Sequence, residues 1–152
     1  MNKYCYLEKP EDFNKKSDIV SIFCEYKWKI LSLLRNPERF QWNTRGWPAG
    51  KFEWDRDGNL ETATCRELLE ETWIDLEKLK KEIIYMWRHY VKYPDNFDFE
   101  YHKFKVILDE ELDIILNNRE HVDKIRKTPQ ETLLLNLIFW EDEIIKYYYW
   151  IK

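Results

Sequence analysis

Apolar runs and the polar breaks between them divide the chain into strands first, then a helix, a hairpin and closing helices. Ile19 to Tyr26 and Trp28 to Leu34, dense in Ile, Val, Phe, Tyr and Leu, predict two strands with a tight connection. The polar stretch Asn36 to Arg45 reads as a loop. Trp47 to Trp54 reads as a short strand, and Asp55 to Asn59 as a turn centred on Asp57-Gly58. From Leu60 to Trp73 the period becomes helical, with Cys65, Leu68, Leu69 and Trp73 expected on the buried side. Asp75 to Glu82 is charged and shows no clear element. Ile83 to Lys92 and Phe97 to Leu108 predict a hairpin around Pro94-Asp95-Asn96. In its second arm Phe97, Phe99 and Tyr101 alternate with Asp98, Glu100 and His102, the period of a strand with one buried face. His121 to Arg126 reads as a further strand. Thr128 caps a helix opened by Pro129 and running to about Leu137, and Glu141 to Ile151 reads as a last helix. This order predicts a mixed α/β sandwich.

Composition narrows the class. The 152 residues fit one domain spanning 1–152, and such a domain buries roughly two thirds of its unfolded surface. A hydrophobic fraction of 44% and an aromatic fraction of 17% exclude a disordered chain. With 25 basic and 29 acidic side chains the formal charge is -4, so nothing draws the surface generally to a polyanion, and nucleic acid is not the expected partner. Cys5, Cys24 and Cys65 are odd in number and lack C-x-x-C spacing, which predicts reduced thiols in a cytoplasmic protein. Met1 to Pro10 has no apolar centre, so no signal peptide is expected. Leu133 to Trp140 falls well short of the roughly 20 apolar residues of a membrane span.

The candidate chemistry lies on the central helix. Glu67, Glu70 and Glu71 stand at i, i+3 and i+4, within roughly a 100° sector. Neighbouring like charges on a helix cost roughly a few tenths of a kcal/mol per pair. Two arrangements offset that cost. Arg66, Lys78 and water screen an ordinary solvated face, or a hard cation such as Mg²⁺ or Mn²⁺ draws the carboxylates together.

The residues before the helix separate these alternatives. Trp47-Pro48-Ala49-Gly50-Lys51 followed by Arg66-Glu67-Leu68-Leu69-Glu70-Glu71-Thr72-Trp73-Ile74 resembles the Nudix box and the P-x-G-K strand that precedes it. The box runs G, five residues, E, seven residues, R-E-U-x-E-E-x-G-U, with U a bulky aliphatic. Phe99 to His102 and Thr128-Pro129-Gln130-Glu131 are similar to the family's later hairpin and helix start. Two departures stand out. Gly50 and Arg66 are two residues further apart than in the pattern, so the first box glutamate has no direct match and Asp55 or Asp57 could stand in. Trp73 occupies the box glycine position.

The resemblance implies a Nudix-type α/β/α sandwich with a mixed sheet and the carboxylate helix packed against it. It also implies a metal-dependent pyrophosphohydrolase acting on a diphosphate linkage of a small nucleotide-type molecule. Glu67, Glu70, Glu71 and the Gly50 carbonyl would hold Mg²⁺ or Mn²⁺, with Glu70 also catalytic and Arg66 bracing the carboxylates. Glu120 leads as external base, with His121 second; His89 and His102 read as half-buried strand residues. Lys51, Arg35 and Arg45 are the expected phosphate contacts, and Tyr101, Trp47 or Phe99 could stack on a flat group or fill the core. The same motif serves two other functions, pyrophosphate removal from RNA 5′ ends or caps and nucleotide binding without turnover. A monomer or a homodimer fits equally.

Overall fold

The computed structural model describes residues 4–152. Within them β1 (Cys5–Tyr6), β2 (Lys15–Tyr26), β3 (Lys29–Arg35), β4 (Arg45–Gly46), β5 (Ala49–Lys51), β6 (Ile84–Val91), β7 (Asp98–Ile107) and β8 (His121–Lys127) form one mixed sheet. Its helices are α1 (Trp54–Asp57), α2 (Leu60–Thr72), α3 (Pro129–Thr132) and α4 (Glu141–Tyr149). The order across the sheet is β1-β6-β7-β2-β3-β4, with β5 also on β2 and β8 also on β3.

β2 is the spine. One edge pairs parallel with β7 from Lys15↔Asp98 to Glu25↔Ile107. The other edge is divided between neighbours: β3 holds Glu25 and Tyr26, and β5 holds Ile19 to Ser21. β2 and β3 therefore part beyond their turn, where Lys27 and Trp28 both take positive φ, as a two-residue hairpin turn of the primed kind requires. The strap Arg45 to Lys51 fills the gap, pairing first with β3 and then with β2. That opening places a cleft in the sheet.

Both faces of β2 are covered. Val20, Ile22 and Cys24 join Leu31, Leu33, Ala63, Leu68, Phe104 and Val106 in a core beneath α2. Phe23 points the other way and joins Ile30, Trp47, Phe99, Tyr101, Ile144 and Ile145 beneath α4. The contiguous apolar run follows from this double burial, and the result is the expected α/β/α sandwich.

Several expectations change. β2 starts at Lys15, earlier than Ile19, because its polar first residues pair with β7. Trp28 belongs to the turn. The expected turn Asp55 to Asn59 instead contains α1, which absorbs the two additional residues before Gly58 ends it at φ 74°. The expected helix to Leu137 stops after α3, because Ile138 donates to the Arg45 carbonyl at 3.0 Å and Arg45 to that of Asn136 at 2.7 Å, drawing the chain alongside β4. β7 buries both faces, since His102 and Asp98 lie under cover as well as Phe99 and Tyr101.

The buried face of α2 is also rotated from the expected one. Ala63, Thr64, Leu68, Glu71 and Thr72 turn inward, whereas Leu69 and Trp73 are 40% and 67% exposed. Asn59 caps the helix start by accepting from the Thr62 N–H at 2.8 Å. At the other end Trp73 takes the left-handed conformation, φ 63°, and donates to the Leu69 carbonyl. The box glycine's backbone role thus persists with a tryptophan in place, at a cost of roughly 1 kcal/mol or more for a residue with a Cβ. Trp73→Gly is expected to raise stability in urea by about 1 kcal/mol; a loss would show that the exposed indole contributes packing that outweighs the backbone cost.

Candidate active site

One cleft of about 450 Å³ opens where β2 and β3 part. Its polar end is lined by Arg35, Arg39, Gly50, Lys51, Glu67, Glu71, Glu120 and His121, and its inner end by Trp47, Phe99, Tyr101, Trp140 and Glu141.

The polar end is organised by Arg66. Its Nε and Nη2 donate to Asp57 Oδ1 and Oδ2 at 2.6 and 3.0 Å, its Nη1 to Glu67 Oε1 at 2.6 Å and Glu70 Oε2 at 3.3 Å, and its Nη2 to the Lys51 carbonyl at 3.1 Å. These carboxylates hold the guanidinium pKa above its ordinary value. Asp57 also accepts from the Glu53 N–H at 2.9 Å, so α1 aims the carboxylate that the two additional residues carry. Of the two residues left open by the sequence, Asp57 is the brace.

Gly50 lies flat against the glutamate pair. A Cβ there would sit 2.0 Å from Glu67 Cδ and 2.2 and 2.4 Å from its oxygens. The neighbouring Ala49 N–H donates to Glu71 Oε2 at 3.3 Å. The longer turn therefore still seats the strap on the helix, and only glycine permits this approach.

The acids at this end are under electrostatic pressure. Burial pushes the Glu67 carboxyl up to about 7 against the pull of Arg66, and burial together with the charges of Glu120 and Glu67 raises Glu71 well above the ordinary range. Glu71 Oε1 is buried with no hydrogen-bond partner among the described residues. His121 Nδ1 is likewise unpartnered and lies 3.9 Å from Glu71 Oε2, while burial and the charges of Arg35 and Arg39 push its imidazole down to about 4. Glu71, Glu120 and His121 bring one donor atom each within 4.8 Å of one another. Carboxylate oxygens and a neutral imidazole with unfilled valences are a donor set that a divalent cation satisfies.

Not every expected residue enters the cleft. Glu70 is not part of the cleft lining and is paired with Arg56 and Arg66. Arg45 is turned to Asp123 of β8 at 2.5 Å and is not part of the cleft wall, because its place in β4 directs it across β3. Tyr101, Trp47 and Phe99 do line the inner end, though all three are also buried core residues. His89 is buried against Tyr148, and His102 is held between Tyr85 and Asp18 away from the cleft. Arg39, Trp140 and Glu141 also line the cleft with no signal in the sequence, and Lys103 lies beside Glu141. Arg39 sits in a loop with no pattern to single it out, and the others are assembled only by packing.

Two outcomes follow. Gly50→Ala is expected to displace Glu67 and weaken Mn²⁺ binding, read by calorimetry, by roughly 10-fold or more, as for other groups that orient ligands; unchanged binding would remove the strap from the site. Glu67 has a folded pKa above its unfolded one, so its contribution to stability is greatest at low pH and is lost as pH rises through about 7. In chelator the native chain should therefore lose Tm relative to Glu67→Gln between pH 5 and 8, by about 2–4 °C for each kcal/mol. Added Mg²⁺ should raise the native Tm and leave the variant unmoved.

No family model matches the sequence, and no curated protein matches it significantly. Solved structures do match. The dihydroneopterin triphosphate pyrophosphohydrolase of E. coli is 15% identical with TM-score 0.73, over 90% of this chain and 97% of that one. The NUDIX domain of Shewanella oneidensis NrtR, solved with ADP ribose, is 16% identical with TM-score 0.72, over 92% and 90%. A NUDIX hydrolase from Nitrosomonas europaea is 17% identical with TM-score 0.67, over 89% and 88%. With near-complete coverage on both sides and the same layered sheet, this chain has the fold of the Nudix hydrolases.

Proposed function

We propose that the chain is a metal-dependent pyrophosphohydrolase that cleaves the diphosphate linkage of a nucleotide or nucleoside diphosphate derivative. The observation that carries this reading is the pairing, in one cleft, of a buried unpartnered carboxylate oxygen on Glu71 with the cationic side chains Arg35, Arg39 and Lys51. Glu71 lacks a cation, Arg35 and Lys51 have no ion pair among the described residues and Arg39 is held only loosely by Glu120 at 3.7 Å, an arrangement that suits a bound metal–diphosphate. The solved relatives whose names specify a pyrophosphohydrolase or bound ADP ribose agree with this chemistry.

In this reading Glu67, Glu70 and Glu71, with the Gly50 carbonyl, would hold Mg²⁺ or Mn²⁺, which would supply Lewis-acid neutralisation of the phosphates and acidify a water. Arg66 fixes the Glu67 and Glu70 carboxylates, so their geometry is set before substrate arrives. Lys51, Arg35 and Arg39 grip phosphoryl oxygens and orient the anhydride. Water attacks one phosphorus, the bridging P–O bond breaks, and Glu120 in the cleft wall accepts the water's proton. His121, neutral through burial, offers Nδ1 as the alternative acceptor. Among the described residues no helix is long and apolar enough to cross a membrane.

Release of phosphate or pyrophosphate from a panel of nucleoside triphosphates, sugar nucleotides and dinucleoside polyphosphates should depend on added Mg²⁺ or Mn²⁺. Glu67→Gln and Glu71→Gln are each expected to lower kcat by roughly 100-fold or more, and Arg39→Met to raise KM with little change in kcat. Full turnover in either glutamate variant would overturn the metal site, and tight nucleotide binding without any turnover would make the chain a binding module.

A further inference from the structure

The inner end of the cleft is not used by the chemistry above. Trp47, Phe99, Tyr101 and Trp140 line it, with Glu141 in the wall at 1% exposure. The partners of Glu141 define how it is used. The Trp47 indole, which can only donate, reaches Oε2 at 2.5 Å, the Tyr101 hydroxyl donates to Oε1, and the Lys103 ammonium lies 3.9 Å from Oε2. Both oxygens thus accept, as in a carboxylate, and each oxygen has two lone pairs, so capacity to accept remains. Lys103 is itself enclosed, donating to Ser21 Oγ at 2.8 Å and lying 3.8 Å from the Phe23 ring centroid. Burial lowers the pKa of the Lys103 ammonium to about 7 against the pull of Glu141, and in its protonated form it is the counter-charge to the carboxylate in this aromatic wall. Trp140 is the converse case, a buried indole N–H that lies near the Tyr101 hydroxyl but makes no hydrogen bond of good geometry among the described residues. Such a donor destabilises the fold until something accepts from it.

We propose that this end of the cleft reads a flat ring whose edge carries two adjacent N–H donors beside a carbonyl, the 2-amino-oxo edge shared by guanine and pterins. Glu141 accepts from the ring N–H and the exocyclic amine, Trp140 donates to the carbonyl, and the surrounding aromatic side chains enclose the ring. The proposal rests on the cleft being the diphosphate-cleaving site and names the group that the diphosphate carries. Discrimination follows from lone pairs. Adenine and cytosine bring a bare ring nitrogen to the carboxylate, which sets acceptor against acceptor. Uracil offers a single N–H between two carbonyls, and hypoxanthine keeps the carbonyl and ring N–H but lacks the amine.

Binding to the full chain in chelator, followed by calorimetry or tryptophan quenching, tests this without turnover. The probes are the 5′-monophosphates of guanosine, inosine, adenosine, cytidine and uridine, together with neopterin. Guanosine monophosphate, neopterin or both should bind about 10-fold or more tightly than the adenosine, cytidine and uridine compounds, with inosine monophosphate between, and whichever of the two leads identifies the ring. Glu141→Gln, which replaces an acceptor by a donor, should bring the ratio to within about 2-fold. Should that variant fail to fold because Lys103 loses its partner, Trp140→Phe keeps a ring in place, removes the N–H, and should weaken the ligands that carry a carbonyl beside the ring N–H, the guanosine, pterin and inosine compounds, while leaving adenosine monophosphate unchanged. Adenosine monophosphate binding as tightly as both guanosine monophosphate and neopterin, or the absence of binding by every probe, would overturn the proposal. Diphosphate hydrolysis that persists without ring preference would sink the ring assignment alone; ring preference in a chain that hydrolyses nothing would sink the hydrolase reading alone.

Discussion

The guanidinium of Arg66 carries the polar end of the cleft. It reaches Asp57 before α2, Glu67 and Glu70 on it, and the Lys51 carbonyl of the strap, so one side chain joins three consecutive pieces of chain. Charge-assisted bonds of this kind are roughly twice as strong as neutral ones, and the planar fork fixes direction as well as distance. The strap in turn fills the gap between β2 and β3, so the same contacts that hold the glutamates also keep the sheet open at one place and closed elsewhere.

This arrangement is electrostatically incomplete. Arg66 neutralises the acids it touches, but Glu71 lies beyond its reach, fully buried, with one oxygen bonded to the Ala49 N–H and the other without a hydrogen-bond partner among the described residues. An uncompensated buried acid disfavours the folded chain until a proton or a cation arrives. The fold tolerates that deficit because two apolar cores, one on each face of β2, are independent of it.

What could be read from the chain divides along physical lines. The strands showed as apolar runs because double burial leaves no polar face, and the glutamate helix showed because its spacing is local and its flanking motif contiguous. Asp57 could not be separated from Asp55, since the answer depends on a one-turn helix that the additional residues create. Leu69 and Trp73 satisfied the helical period yet face solvent, because α2 is oriented by Glu71 and Ala63 packing inward and Trp73 is held outward by its left-handed backbone. Helix α3 ended early because the bridge between Arg45 and Leu137 outcompeted local propensity. Glu141, Lys103 and Trp140 carry no signature in sequence: a lysine at strand spacing and an acid at a helix start become partners only when β7 meets α4.

The parting of β2 and β3 has an evolutionary reading. The polar side chains at one end of the cleft come mainly from α2, the strap and the start of β8, whereas the far end is drawn from β7, Trp47 and the entry to α4. Apart from the strap, the two sets share no element. Substitutions at the entry to α4 can therefore reshape the far end of the cleft while the groups beside Arg66 stay intact, so a lineage built on this scaffold can alter one end without disturbing the other.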